Sequence, residues 1–219
     1  FDPQQRLFLE TCWSALEDAG YATDAASEMR CGVFVGAGQG DYQARTEAQS
    51  FLGNTTSILA ARISYFLNLK GPSVALDTAC SSSLVAIHTA RRSLLANEID
   101  MAVAGGVFIC TTPTFFILSS NAGMLSPAGE CRAFDDRADG FVPGEAVGAV
   151  VLKRLDAAIR DGDPIYAVIK GSGVNQDGRT NGITAPSAES QTQLELAVYE
   201  ASGIDPDTIT LVEAHGTGT

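Results

Sequence analysis

Cys80 stands where a chain can place a nucleophile, between a predicted strand and a predicted helix. The short apolar and β-branched run SVAL at 73–76 precedes it. After it, side chains recur at helical spacing: Leu84, Ile87, Arg91 and Leu95. At a helix entrance, free amide groups and the positive end of the helix dipole favour a thiolate, which is the nucleophilic form of cysteine. The pattern therefore predicts a reactive cysteine at this position.

A buried structural cysteine is the ordinary alternative, because free cysteine is among the most buried residue types. The neighbours Ala79, Ser81 and Ser82 are small and would leave room for a substrate. This strand, turn and helix context favours the nucleophile.

His215 is the second candidate group, and the chain contains only two histidines. The run TITLV at 208–212 predicts a strand that delivers EAHGTGT at 213–219. A histidine at a strand end, before a glycine-rich turn, is a candidate base or hydrogen-bond donor. An ordinary loop histidine is the alternative. The other histidine, His88, lies two turns along the predicted helix, about 12 Å from Cys80, so we interpret it as structural.

Strands and helices alternate along the whole sequence, which predicts an α/β fold. The predicted helices cover 3–19, 56–67, 113–123, 155–161 and 187–202. The predicted strands cover 31–36, 73–76, 100–108, 146–152, 165–174 and 208–212. The loop GAGQG at 36–40 lacks the spacing of a phosphate-binding loop, so we interpret its glycines as allowing close backbone approach.

Composition excludes several classes of function. The chain has 219 residues, and its 45% hydrophobic residues are enough to form a core. Its net charge of -12 argues against binding to nucleic acid, which requires a basic surface. Five widely spaced cysteines favour reduced thiols and a cytoplasmic protein. With no CxxC pair and two distant histidines, no metal site is predicted. No apolar stretch could span a membrane.

Four motifs together resemble those of β-ketoacyl synthases, specifically ketosynthase domains of modular polyketide synthases. They are DTACSSSLVA at 77–86, SPAGECRAFDDRADGFVPGE at 126–145, GSGVNQDGRTNGITAPS at 171–187 and EAHGTGT at 213–219. Ala146 replaces a glycine that is usual in such domains. The sequence begins within a predicted helix and ends before the lysine and second histidine of the family's catalytic set, so we expect a fragment.

The resemblance implies a thiolase-like fold, with two related α/β halves in five α-β-α-β-α layers, usually in a homodimer. Residues of about 1–165 would form the N-terminal half. Residues 166–219 would begin the C-terminal half.

The resemblance also implies a mechanism. Cys80 would take an acyl chain from the phosphopantetheine arm of an acyl-carrier protein. A malonyl-type extender would lose carbon dioxide, and the resulting carbanion would attack the acyl-enzyme. The Cys80 amide and His215 would stabilise developing oxyanions, and Thr217 and Thr219 would contact the pantetheine arm. No permanently bound cofactor is implied.

Two other functions stay open at this point. A Cys-His hydrolase would share the nucleophile, but water would be its acyl acceptor and it would not require a carrier protein. A non-elongating or chain-length-determining relative of the ketosynthases would act as a binding partner without condensation.

Overall fold

The computed structural model describes residues 1–42 and 48–219, which divide into two compact units. The first unit contains Phe1–Asp163 and His215–Thr219, and the second contains Pro164–Ala214. The helices are α1 (Pro3–Asp18), α2 (Ala48–Asn54), α3 (Thr56–Phe66), α4 (Ser82–Leu95), α5 (Thr114–Asn121), α6 (Leu155–Asp161) and α7 (Ala188–Ser202). The strands are β1 (Cys31–Gly36), β2 (Ser73–Leu76), β3 (Met101–Phe108) and β4 (Ala146–Lys153).

The four strands form one mixed sheet in the order β2-β1-β3-β4. β1 runs parallel to both of its neighbours, with Val33 opposite Ser73 and Cys31 opposite Met101. β4 is antiparallel to β3. Every residue of β1 is buried, as expected for a parallel strand that is covered on both faces.

Helices cover both faces of this sheet. On one face, Phe8 of α1 and Ile63 of α3 join alternate residues of β1 and β3 in the larger core cluster. On the other face, α4 packs Ala86, Ala90 and Leu94 against the sheet. The first unit is therefore a three-layer α/β/α sandwich.

The helix predicted after Cys80 is confirmed, but the sequence did not predict its buried side. Leu84 and Leu95, which marked the helical spacing, are 70% and 57% exposed. Small alanines occupy the contact instead, because they let the helix axis lie close to the sheet.

The boundaries of the first helix follow from local chemistry. Asp2 caps α1 by accepting a hydrogen bond from the Gln4 amide at 2.8 Å, and Pro3 occupies the first helical position. Gly20, at φ +79°, lies just beyond the helix end. The prediction for this element is confirmed.

In the second unit, the predicted helix is confirmed and the predicted strands are not. Ser187 caps α7, and Gly203 ends it in the left-handed conformation. The prediction of strands at 165–174 and 208–212 was wrong, because no strand forms anywhere in Pro164–Ala214. An extended apolar run becomes a strand only when a neighbour pairs with its backbone, and no segment of this unit does so.

None of the helices in the described residues has the length and apolar character that crossing a bilayer requires.

Candidate active site

Only two of the five cysteines have an exposed side chain and are therefore candidate nucleophiles. Cys12 and Cys31 are buried in the core, Cys110 is half-buried, and Cys80 and Cys131 are exposed. Burial, with a contribution from Cys31, raises the pKa of Cys12, and burial raises the pKa of Cys31 to about 12. These two thiols are held in the unreactive neutral form.

Cys80 lies in the 3₁₀ turn Ala79–Ser81, which joins β2 to α4 as the sequence predicted. Side chains on both sides of the cysteine hold this turn. Asp77 accepts a hydrogen bond from the Ala79 amide at 2.9 Å. Ser82 Oγ accepts from the Thr78 amide at 2.8 Å and donates to the Ala79 carbonyl at 2.6 Å. The exposed thiol is thus carried on a backbone with little freedom.

The residue before the cysteine adopts an uncommon conformation. Ala79 has φ +57°, in the left-handed region that residues with a Cβ seldom occupy. Such strain persists only where surrounding contacts enforce it, and it is concentrated at functional sites.

Two glycines allow the start of α4 to press against the ends of β1 and β3. A Cβ on Gly36 would lie 2.4 Å from the Ser82 carbonyl carbon and 2.5 Å from the Ser83 amide nitrogen. A Cβ on Gly106 would lie 2.8 Å from Ser83 Cβ. The interpretation that the glycines of the run at 36–40 allow close backbone approach is therefore confirmed at Gly36, the last residue of β1.

His215 belongs to the same compact unit as Cys80, together with Thr217 and Thr219. Its side chain is exposed, and it begins a turn in which Gly216 and Gly218 have φ values of +41° and +74°. The hydroxyls of Thr217 and Thr219 are hydrogen-bonded to each other at 2.8 Å. The histidine thus introduces a glycine-rich turn, as predicted, although no strand precedes it.

His88 lies in α4 and is half-buried. Burial lowers its pKa, and the positive charges of Arg92 and Arg91 lower it further. The imidazole is therefore neutral at pH 7. Its structural role stays a prediction.

Sequence reasoning missed Asp41, which joins the loop after β1 to the segment after β3. Its carboxylate accepts four hydrogen bonds, from the amide and the hydroxyl of both Thr111 and Thr112. The two amide bonds measure 2.8 and 3.0 Å. Burial opposes ionisation of this carboxyl, but the four bonds outweigh it and lower its pKa to about 2. Asp41 thus fixes the loops that leave the same sheet edge as the Cys80 turn.

The low pKa of Asp41 predicts a pH-dependent contribution to stability. A lowered pKa in the folded state stabilises the fold above the unfolded value of 3.8, and this is lost as the pH falls through about 2. We expect Asp41→Asn to lower the free energy of unfolding by about 1–3 kcal/mol at pH 7, since the amide cannot accept all four bonds.

Urea unfolding of the full-length protein at a series of pH values measures this effect. The difference between parent and Asp41→Asn should shrink as the pH falls from 5 towards 2. Asp24→Asn, at an exposed aspartate, is the control and should show little difference at any pH. A constant Asp41→Asn difference across this range would contradict the assignment.

Comparison with known proteins confirms the resemblance carried by the motifs. The β-ketoacyl synthase N-terminal domain model matches residues 1–158, and the C-terminal domain model matches residues 166–219. Solved ketosynthases superimpose on the chain throughout, so its fold is thiolase-like. The chain belongs to the β-ketoacyl synthase family.

Its relatives are modular polyketide synthases and their ketosynthase domains. Polyketide synthase PksL from Bacillus subtilis is 55% identical over the whole chain, which covers 5% of that relative. Polyketide synthase ThaG from Burkholderia thailandensis is 51% identical over the whole chain, which covers 4% of that relative.

Two solved ketosynthase structures also match the whole chain. The ketosynthase from module 6 of the bacillaene synthase of Bacillus subtilis has a TM-score of 0.93 and 55% identity. An oxazolomycin ketosynthase domain from Streptomyces albus has a TM-score of 0.93 and 42% identity. All of this chain is covered in both, but it spans only 38% and 40% of those chains.

Proposed function

We propose that this chain is part of a ketosynthase domain that condenses a Cys80-bound acyl chain with a malonyl-type extender. Residues of about 1–165 are its N-terminal half, and residues 166–219 begin its C-terminal half. The observation that carries this proposal is the exposed thiol of Cys80 in the strained turn before α4, within a chain of the β-ketoacyl synthase family.

Acyl transfer to Cys80 is the first step. The Cys80 thiolate attacks the carbonyl carbon of an acyl thioester on the phosphopantetheine arm of an acyl-carrier protein. The carbon–sulfur bond to the arm breaks, and the arm leaves as a thiolate that takes up the proton given up by Cys80. The Cys80 amide, at the helix entrance, donates a hydrogen bond to the tetrahedral oxyanion. Exposure of the sulfur suits this reaction, because the long arm must reach it from outside.

Decarboxylation and condensation follow. The malonyl-type extender loses carbon dioxide, and its carbanion attacks the acyl-enzyme to form the carbon–carbon bond and release the Cys80 sulfur. His215 donates a hydrogen bond to the extender's thioester oxygen as negative charge develops there. Thr217 and Thr219 offer hydroxyls to the amides and hydroxyls of the arm.

The acyl-carrier protein is the partner that this chemistry requires, and its phosphopantetheine arm is a substrate carrier. No cofactor stays bound. The relatives are polyketide synthases, and we propose a homodimer for the complete domain. The five free cysteines suit a cytoplasmic protein.

Intact mass measurement of the full-length protein, after incubation with an acyl-pantetheine thioester, tests this function. We expect a stable acyl adduct on the parent and on Cys110→Ala, whose thiol is half-buried. Cys80→Ala should form none. The same adduct on Cys80→Ala would overturn the assignment.

The same samples separate the other two functions. A hydrolase would turn the thioester over with water and would accumulate no adduct. A non-elongating relative would accept the acyl chain but would form no β-ketoacyl product when malonyl carrier protein is added. Condensation requires both the adduct and the new product.

A further inference from the structure

The loop at 130–140 holds the turn His215–Thr219 by direct contacts with its backbone. The Cys131 thiol donates to the Thr217 carbonyl, with sulfur and oxygen 3.2 Å apart, and lies 3.7 Å from the Gly216 carbonyl oxygen. The Gly140 amide donates to the Gly218 carbonyl at 3.1 Å. The turn is therefore fixed by residues far from it in sequence.

The loop and the turn approach each other closely at Gly218. Gly218 is buried. A Cβ at this glycine would lie 2.9 Å from the Arg132 amide nitrogen, 3.3 Å from Cys131 Sγ and 3.3 Å from the Gly140 carbonyl oxygen. A change in the Cys131 side chain is therefore transmitted directly to the turn.

The loop itself is braced before it meets the turn. Arg132 pairs with Glu130 at 2.7 Å and with Asp139 at 3.5 Å, which ties the two ends of the loop together. Just beyond it, the Phe141 carbonyl accepts a hydrogen bond from the Ser126 amide at 3.0 Å. Cys131 is thus presented from a supported backbone.

We propose that Cys131 is a positioning residue that orients the His215–Thr219 turn for the extender half of the reaction. This inference rests on the proposed function, in which His215, Thr217 and Thr219 act on the extender and its arm. Cys131 contacts the Thr217 carbonyl, in the middle of that turn. Its thiol takes no part in acyl transfer to Cys80.

The two half-reactions give this role a specific signature. Loss of the thiol in Cys131→Ala should leave the rate of Cys80 acylation within about twofold of the parent. It should reduce kcat/KM for decarboxylation of malonyl carrier protein by about fivefold to tenfold, as expected for one lost hydrogen bond and a loosened turn. A misplaced His215 lowers kcat, and misplaced threonines raise KM. Cys131→Ser, whose hydroxyl also donates, should restore most of the activity.

Both half-reactions are measured on the full-length protein, by intact mass for acylation and by carbon dioxide release for decarboxylation. Cys110→Ala is the matched control and should change neither rate. Equal loss in both half-reactions, or no selective loss in Cys131→Ala, would overturn this inference while the proposed function stands. A parent that forms no acyl adduct would overturn both.

Discussion

Replacement of Gly36 by alanine should lower the free energy of unfolding by about 3 kcal/mol and slow acylation of Cys80 by about 100-fold. The added Cβ would lie 2.4 Å from the Ser82 carbonyl carbon, so the backbone at the start of α4 must move. Flexible side chains can turn away from a clash, but a helix start can only shift. Because Cys80 is two residues before Ser82, its sulfur shifts with it.

Gly148→Ala is a matched control for Gly36→Ala. Gly148 is also in a strand of the same sheet, but a Cβ there would meet nothing within 4 Å. Urea unfolding and the rate of acyl adduct formation should therefore stay close to those of the parent. If the Gly36→Ala and Gly148→Ala proteins share one urea midpoint, the close approach at Gly36 has no energetic importance.

Replacement of His215 by alanine should separate the two half-reactions more sharply than any other change. Acylation of Cys80 should continue at nearly the parent rate, because the proposed donor for that step is the Cys80 amide. Decarboxylation of malonyl carrier protein should fall by about 100-fold to 1000-fold, the usual cost of removing one donor to a developing oxyanion.

The other histidine supplies the control for His215→Ala. His88→Gln changes a half-buried helical position to a residue that favours helices. The rate of carbon dioxide release and the rate of acyl adduct formation, followed by intact mass, should then both lie within about twofold of the parent rates. An equal loss of decarboxylation in the two variants would remove His215 from its proposed role.

Elements with local signals could be predicted closely from the sequence. Asp2 and Gly20 bracket α1, and Ser187 and Gly203 bracket α7, because capping chemistry acts within a few residues. The strand at 31–36 was also predicted with its observed bounds, because a continuous apolar run is a local signal. The runs at 165–174 and 208–212 have similar composition, but pairing with a neighbouring strand is not a local property.

The candidate site also combines features set by neighbouring residues with features set by contacts between distant residues. The place of Cys80 between strand and helix follows from its flanking residues. The contacts that fix the site could not be predicted from flanking residues. Asp41 and Thr111 are 70 residues apart in the sequence, and Cys131 and Thr217 are 86 residues apart. Ala79 carries no signal for its left-handed conformation, which is imposed by the folded surroundings.

The pairing of β1 also determines how this chain can fold. β1 pairs with β2 and β3, both of which are synthesised much later, and α4 must be made before β3 can complete the sheet. Such non-local pairing predicts folding in milliseconds to seconds, with apolar segments unpaired for much of that time. On the ribosome, β1 emerges before either of its partner strands, so its apolar residues stay unpaired until β2 and β3 follow, although the finished fold buries them completely.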